Sequence, residues 1–180
     1  MMRILLISDT HMYNEKMDHI LEHEKYDIVI HCGDISVDED DPHLKKMLVV
    51  QGNHDQSFLP ITIKKNIDGY HCLITHGQKF DVYRGYDKLS QYMDNNDLQI
   101  CFHGHTHVPT YIHQNNKIFI NPGSVMINRA EYGFGTYAIV EIHQKNINVE
   151  FHHADTFEIV DMKIINEGMK ILEEFKKLLK

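Results

Sequence analysis

Apolar residues fall in short runs along most of the chain, and polar residues crowd at the downstream end of each run. Residues 3–8 (RILLIS), 27–32 (DIVIHC) and 47–51 (MLVVQ) are short and continuous, the pattern of strands buried on both faces. ITIKKNI (61–67) and YHCLITH (70–76) flank Asp68-Gly69, a hairpin signal, and LQICFH (98–103) reads as another strand. Two further hairpins are expected, one turning at Asn115-Asn116 and one near Gln144–Asn146. Helical spacing shows in three places. Asn14 reads as a cap ahead of Met17, Ile20, Leu21 and Glu24, and a second helix is expected near 86–95. The tail, about 162–179, carries Ile164, Ile171, Leu172, Phe175, Leu178 and Leu179 at helical spacing, with Glu173 four residues before Lys177. Its expected role is to cover sheet edges. Early strand–helix alternation followed by hairpins predicts an α/β fold with mixed sheets, with residues 1–180 forming one domain.

Composition narrows the setting. Apolar content of 42% and charged content of 24% are ordinary for a soluble domain. No apolar run reaches the ~18 residues of a membrane span. MMRILLISDTH is too short and too soon acidic for a signal peptide, and it reads as a first strand. The three cysteines, Cys32, Cys72 and Cys101, form no CxxC pair and read as buried thiols in a reducing, cytoplasmic setting. The formal net charge is -8, and basic residues are scattered. Long nucleic acid needs phosphate neutralisation, so it is not an expected partner, and the run Asp38–Asp41 reads as a solvated loop.

The strand ends change the picture. They carry Ser8-Asp9-Thr10-His11, Gly33-Asp34, Gly52-Asn53-His54-Asp55, His76-Gly77 and Gly104-His105-Thr106-His107. Open α/β sheets bind ligands outside the carboxyl ends of their strands. Convergence there would gather Asp9, His11, Asp34, Asn53, His76, His105 and His107. With 15 histidines in the chain, one cluster could be chance, but five strand-end motifs are not easily so. In an extended segment i and i+2 share a side, which would pair Asp9 with His11 and His105 with His107. Oxygen and imidazole donors suit manganese, iron or zinc better than copper(I). Seven donors exceed one ion with an open position and suit two divalent ions, with Asp34 the natural bridge. A closed structural zinc site would be rich in cysteine, and this set has none.

Taken together, D-x-H at 9–11, G-D at 33–34, G-N-H-D at 52–55, H-G at 76–77, G-H-T-H at 104–107 and N-P-G-S at 121–124 resemble the calcineurin-like metallophosphoesterase superfamily. The order and spacing are similar to its small single-domain bacterial and archaeal phosphodiesterase branch, from the first strand to about residue 140. The resemblance implies a four-layer α-β-β-α sandwich of two mixed sheets flanked by helices. It implies one ion on Asp9, His11, Asp34 and His107, and the other on Asp34, Asn53, His76 and His105. Manganese comes first among the metals, with iron, zinc and nickel as alternatives. His54 is implied as the catalytic proton donor, and the reaction as hydrolysis of a small phosphoester by a hydroxide shared between the ions. Small relatives also suggest a dimer or tetramer.

The chain departs from the family pattern after Gly33-Asp34, where Ile35-Ser36-Val37 lacks a second aspartate that would orient the histidine; Asp38 is the nearest substitute. Asp55 reads as structural, and Asn121–Ser124 as a tight loop near the site. His103, His31, His71, His113, His152 and His153 read as packing or surface residues, and Arg129 as a surface ion pair before a phosphate ligand. Two competing readings fail on the residues. A metallo-β-lactamase motif would continue with x-Asp-His where this chain has Pro109-Thr110, and an amidohydrolase barrel needs about 250 residues. The remaining alternatives are a non-catalytic scaffold of the same fold, like a retromer subunit, and a phosphomonoesterase or nucleotide phosphatase. The choice among diester, monoester and cyclic nucleotide stays open.

Overall fold

The computed structural model describes residues 1–144 and 146–179. Its strands are β1 (Met2–Ile7), β2 (Ile28–His31), β3 (Leu48–Val49), β4 (Thr62–Ile67), β5 (Tyr70–Thr75), β6 (Ile100–Phe102), β7 (Thr110–Gln114), β8 (Lys117–Asn121), β9 (Thr136–His143) and β10 (Asn146–His153). The helices are α1 (Asn14–His23), α2 (Asp87–Asp94) and α3 (Met162–Leu178). One sheet has the order β10-β9-β1-β2-β3 and the other β4-β5-β6-β8-β7. Both are mixed: β1 pairs β2 in parallel and β9 antiparallel, and β6 pairs β5 and β8 in parallel while β7 runs antiparallel to β8.

Alternation along β1 explains the layers. Ile4 and Leu6 face inward and meet Cys72, Ile74, Ile100 and Phe102 of the other sheet. Leu5 and Ile7 face outward and pack with Met17 and Ile20 of α1. On the far side Leu73, Cys101 and Phe119 pack with Leu89 and Met93 of α2. Two sheets therefore share an inner core, and helices cover the outer faces. Cys32, Cys72 and Cys101 are buried free thiols, and burial pushes each of them up from the usual thiol range.

The hairpins turn where the sequence predicts. Asp68 and Gly69 both have positive φ, as do Asn115 and Asn116, the pattern of tight two-residue turns. The β9–β10 turn includes Lys145, which lies outside the described residues. Three details differ from the sequence reading. Asn14 is the first residue of α1 rather than its cap; Tyr13 precedes the helix and gives no side-chain cap bond. The strand expected over 47–51 shrinks to β3, because the Gln51 N–H turns away to donate to the Pro60 carbonyl at 2.8 Å. In α3 the buried positions are Ile165 and Gly168, whereas Leu178 is 81% exposed. A Cβ on Gly168 would lie 3.0 Å from Val108, so the glycine lets α3 sit directly on the segment following His107.

Candidate metal centre

The strand-end loops place Asp9, Asp34 and His76 in the interior, with side chains at 0%, 2% and 0% exposure. His11 and His107 are partly covered, and Asn53 and His54 are exposed. His11 Nε2 and His107 Nε2 lie 3.3 Å apart. Asp9 Oδ1 is 3.0 Å from His107 Nε2 and 3.9 Å from His11 Nε2. On the other side, His76 Nε2 lies 3.2 Å from Asn53 Oδ1, 3.3 Å from Asp34 Oδ2 and 3.8 Å from Asp9 Oδ1. The His105 ring stands edge-on to His76 with centroids 5.0 Å apart. Both carboxylates thus stand between an imidazole pair formed by His11 and His107 and a second group around His76.

Strand alternation does not produce this convergence. Asp9, His11, Asp34, His105 and His107 all have positive φ, between 45° and 70°. Such left-handed residues cost of order 1–3 kcal/mol each when not glycine, and they cluster where surrounding bonds hold them. Those bonds are present. The Asp9 N–H donates to the Gly33 carbonyl at 3.0 Å, and the His11 N–H to the Asp34 carbonyl at 2.9 Å. Crowding is severe enough that a Cβ on Gly104 would meet Ser8 Oγ at 2.0 Å, and one on Gly52 would meet Asp34 Oδ1 at 2.1 Å. Only glycine fits at either place.

Electrostatics point the same way. Burial alone would raise the Asp9 carboxyl, but His76 and His107 beside it hold it well below the carboxylate range. Burial opposes a charge on His76, yet Asp9 and the bond to Asp34 outweigh it and lift its pKa to about 9. Burial takes His105 down to about 4, with His76 reinforcing the shift, so His105 is neutral and ready to act as a ligand. His76 Nδ1 donates to the Cys32 carbonyl at 2.7 Å, which fixes the ring and turns Nε2 toward the carboxylates.

The donor set fits a divalent ion. Asp9 Oδ1 is a buried carboxylate oxygen without a hydrogen-bond partner among the described residues, although His107 Nε2 is close. An unpaired buried anion is costly unless a cation completes it. Two imidazole nitrogens on one ion, each about 2.1 Å from it, lie roughly 3.0–3.4 Å apart, and His11 and His107 stand at such a spacing. Donor atoms of Asp9, His11 and His107 lie within 4.8 Å of one another, as do those of Asp9, Asp34 and His76. Where two ions bind, Asp9, His11, His107 and Asp34 would face one, and Asp34, Asn53, His76 and His105 the other.

His54 occupies the rim. Its backbone N–H donates to Asp34 Oδ1 at 2.8 Å, and its ring stands edge-on to His11 with centroids 5.3 Å apart. A ring nitrogen of His54 falls within 4.8 Å of donor atoms of His11 and Asp34. Among the described residues no carboxylate bonds the ring. Asp38 does not substitute, since its Oδ1 accepts from Gln56 Nε2 at 3.1 Å. A cavity of about 350 Å³ opens beside His54, lined also by Met12, Asn14, Ser36 and Asp38. A second cavity, about 620 Å³ between the Val82–Tyr86 segment and α3, is lined by none of these donors.

Asp55 has a definite structural task. Its Oδ2 accepts from the N–H groups of Asp34 and Gly52, and its Oδ1 from that of Ser36, each at 2.7 Å. One carboxylate therefore ties the Asp34 loop to the Asn53–His54 loop. Asp55→Ala should lower metal affinity roughly 10–100-fold, the usual effect of losing an outer support. It should also destabilise the fold by about 2 kcal/mol or more. Metal titration and denaturant unfolding of the same samples check both effects, and unchanged metal affinity would assign Asp55 no part in the centre.

The sequence places Asn121–Ser124 near the site but gives neither the bonds of that loop nor any role for Ser8. Ser8 Oγ donates to Asp9 Oδ2, and Ser124 Oγ to the Asp9 carbonyl at 2.9 Å. Asn121 Nδ2 donates to the Gly104 carbonyl at 3.0 Å and to Thr106 Oγ1 at 2.9 Å, so the Asn121–Ser124 loop braces two ligand loops at once. Fully buried His31 accepts from the Gly33 N–H on Nδ1 and donates from Nε2 to Thr10 Oγ1; burial takes its pKa down to about 3. Its place inside an apolar strand was the only available signal. His103 faces Tyr86, whose hydroxyl lies 3.0 Å from its Nε2, and is packing rather than donor.

A two-sheet α/β sandwich with buried carboxylates and imidazoles gathered at its strand ends defines a metal-dependent hydrolase. Comparison with known proteins makes this specific. Residues 2–145 match the family model of the calcineurin-like phosphoesterase superfamily domain, and the chain belongs to that superfamily. The Probable metallophosphoesterase YsnB of Bacillus subtilis (strain 168) is 30% identical over 174 residues, covering 90% of this chain and 97% of that protein. The crystal structure of a conserved uncharacterized protein (predicted phosphoesterase) from Streptococcus pneumoniae TIGR4 superposes with a TM-score of 0.81 at 28% identity, covering 88% of this chain and 92% of that one. The structure of a novel archaeal phosphodiesterase shares the fold, with a TM-score of 0.64 at 21% identity over 83% of this chain and 99% of that one. The protein is a metal-dependent phosphoesterase. No helix among the described residues is long and apolar enough to cross a membrane.

Proposed function

We propose that the protein hydrolyses small phosphodiesters at a centre of two divalent ions, manganese first among them, with His54 as proton donor. The observation that carries this reading is the position of Asp9 and Asp34, two buried carboxylates each facing imidazoles on both sides. When bound, the ions neutralise phosphate charge and make water a nucleophile near neutral pH. The chain does the rest. Asp9 and Asp34 supply fixed negative charge that keeps the pair in place. His76 is held by the Cys32 carbonyl, and His105 is packed edge-on against His76 and Tyr83. His54, exposed at the rim and free of a carboxylate partner among the described residues, is placed to give a departing oxygen a proton. The cavity beside His54 offers room for a small leaving alcohol. Likeness to the archaeal phosphodiesterase supports a diester, and the chain's own surface supports a small one.

The acidic character of the chain sets the expected limits. With a net charge of -8, and with Asp38 and Asp41 lining the cavity beside His54, long polyanions should be disfavoured. A panel of phosphoesters assayed with each of manganese, iron, zinc and nickel tests the reading. Aryl diesters and short or cyclic nucleotides should be turned over at least about tenfold faster than single-stranded DNA at physiological salt. Efficient DNA degradation, or turnover of monoesters alone, would overturn the small-diester assignment.

A further inference from the structure

Arg129 does not form the ion pair expected of a lone arginine. It is exposed, and among the described residues its guanidinium meets no carboxylate. Its contacts run to the metal centre instead. The guanidinium lies beside the Tyr83 hydroxyl, and that hydroxyl donates to the His105 carbonyl at 3.2 Å. The backbone N–H of Arg129 donates to the His107 carbonyl at 2.8 Å. The main chain of Arg129 is therefore tied to His107, and its side chain sits beside the tyrosine that is tied to His105.

Tyr83 is itself held. Its ring stands edge-on to His105 at 5.1 Å and to Phe175 of α3 at 5.8 Å. The one proton of the Tyr83 hydroxyl goes to the His105 carbonyl, which leaves the oxygen free to accept. A guanidinium has five N–H donors in a planar fork, and a single neighbouring hydroxyl can occupy only part of it. The rest remain available to an anion at the rim. In a chain of net charge -8, a cation held without a carboxylate beside a dication site is suited to phosphate.

We propose that Arg129, positioned by Tyr83, forms an anion subsite at the His105–His107 edge of the centre and binds a non-bridging oxygen of the substrate phosphate. This subsite rests on the phosphoesterase reading above. It gives α3 a part in function, since Phe175 supports the tyrosine that holds the arginine. It also gives the substrate two polar ends: its phosphate is gripped near His105 and His107, and its leaving alcohol lies near His54.

The test uses the metal-loaded protein and three variants: Arg129→Ala, Arg129→Gln, which keeps a donor for Tyr83 without charge, and Arg129→Lys. Each is measured for metal content, for inorganic phosphate binding by calorimetry, and for kcat and KM on an aryl phosphodiester. Arg129→Ala and Arg129→Gln should weaken phosphate binding and raise KM about tenfold, the low end for a charge-assisted bond. Metal content should not change, and Arg129→Lys should recover part of the loss. Tyr83→Phe should move the same quantities a few-fold, because the arginine stays but loses its support. Unchanged phosphate affinity and KM in a folded Arg129→Gln would overturn the proposal, as would loss of metal, which would make the residue a brace for the His107 loop. If the wild type hydrolysed no phosphoester, the catalytic reading would fail, while phosphate titration would still decide the role of Arg129.

Discussion

Asp34→Asn should leave a folded protein that has lost most of its turnover and cannot hold a full complement of metal. Asp34 Oδ2 stands 3.3 Å from His76 Nε2 and 3.8 Å from His11 Nε2, between the two imidazole groups. Its Oδ1 accepts the His54 N–H, and its own N–H is held by Asp55. The amide keeps the shape and the backbone bond, so the loop should persist. It cannot present two anionic oxygens, and one of its two positions becomes a donor facing imidazoles or cations. The loss should go well beyond the roughly 10–100-fold of an outer-shell change. Elemental analysis and a diester assay on one preparation check it. A folded Asp34→Asn variant with two ions and full turnover would remove Asp34 from the bridging position.

His54→Ala should behave differently. It should keep its metal and lose about 10²–10⁴-fold in rate on esters with alkyl leaving groups, the usual range for general acid catalysis. A nitrophenolate departs as an anion and should be spared much of that loss. The rate of the variant should therefore depend more steeply on leaving-group pKa than that of the wild type. His54 also lies within 4.8 Å of donor atoms of His11 and Asp34, so a ligand role has geometric support of its own. The two roles separate cleanly. An unchanged slope with metal retained would deny proton donation, and loss of one ion would move His54 into the ligand set.

Much of the fold was legible because short apolar runs and turn residues say the same thing. β1, β5 and β6 follow from continuous apolar stretches, and the hairpin turns at Asp68-Gly69 and Asn115-Asn116 follow from residues that accept positive φ. What the sequence hid was three-dimensional. Gln51 looked like strand, but its N–H is claimed by Pro60 from the next loop. Gly168 has no side chain to enter a hydrophobic pattern, yet it is a buried position of α3, and a Cβ there would lie 3.0 Å from Val108. The face of α3 therefore could not be read from its larger residues.

The site shows the same division. Residue types and strand ends were enough to nominate Asp9, His11, Asp34, Asn53, His76, His105 and His107, and the structure draws their loops together. Asp9 and His11 do come together as the spacing suggests, but left-handed backbone rather than strand alternation aims them. Ser124 and Asp55 act through backbone groups of distant loops, Ser8 through the Asp9 carboxylate and His31 through the Thr10 hydroxyl and the Gly33 N–H, and no local pattern announces such bonds. Arg129 and Tyr83 meet only after the chain has folded over α3 and the Gly104–His107 loop. Their partnership has no signature in the sequence.

The central claim is that these carboxylates and imidazoles hold a pair of ions that the reaction needs. Metal content per chain, measured by elemental analysis on protein purified without chelator and then saturated with manganese, tests it when the same sample is assayed on an alkyl phosphodiester. The account predicts about two ions per chain, with turnover that rises with occupancy and vanishes when a chelator removes them. Full turnover in protein that holds one ion or none would contradict it.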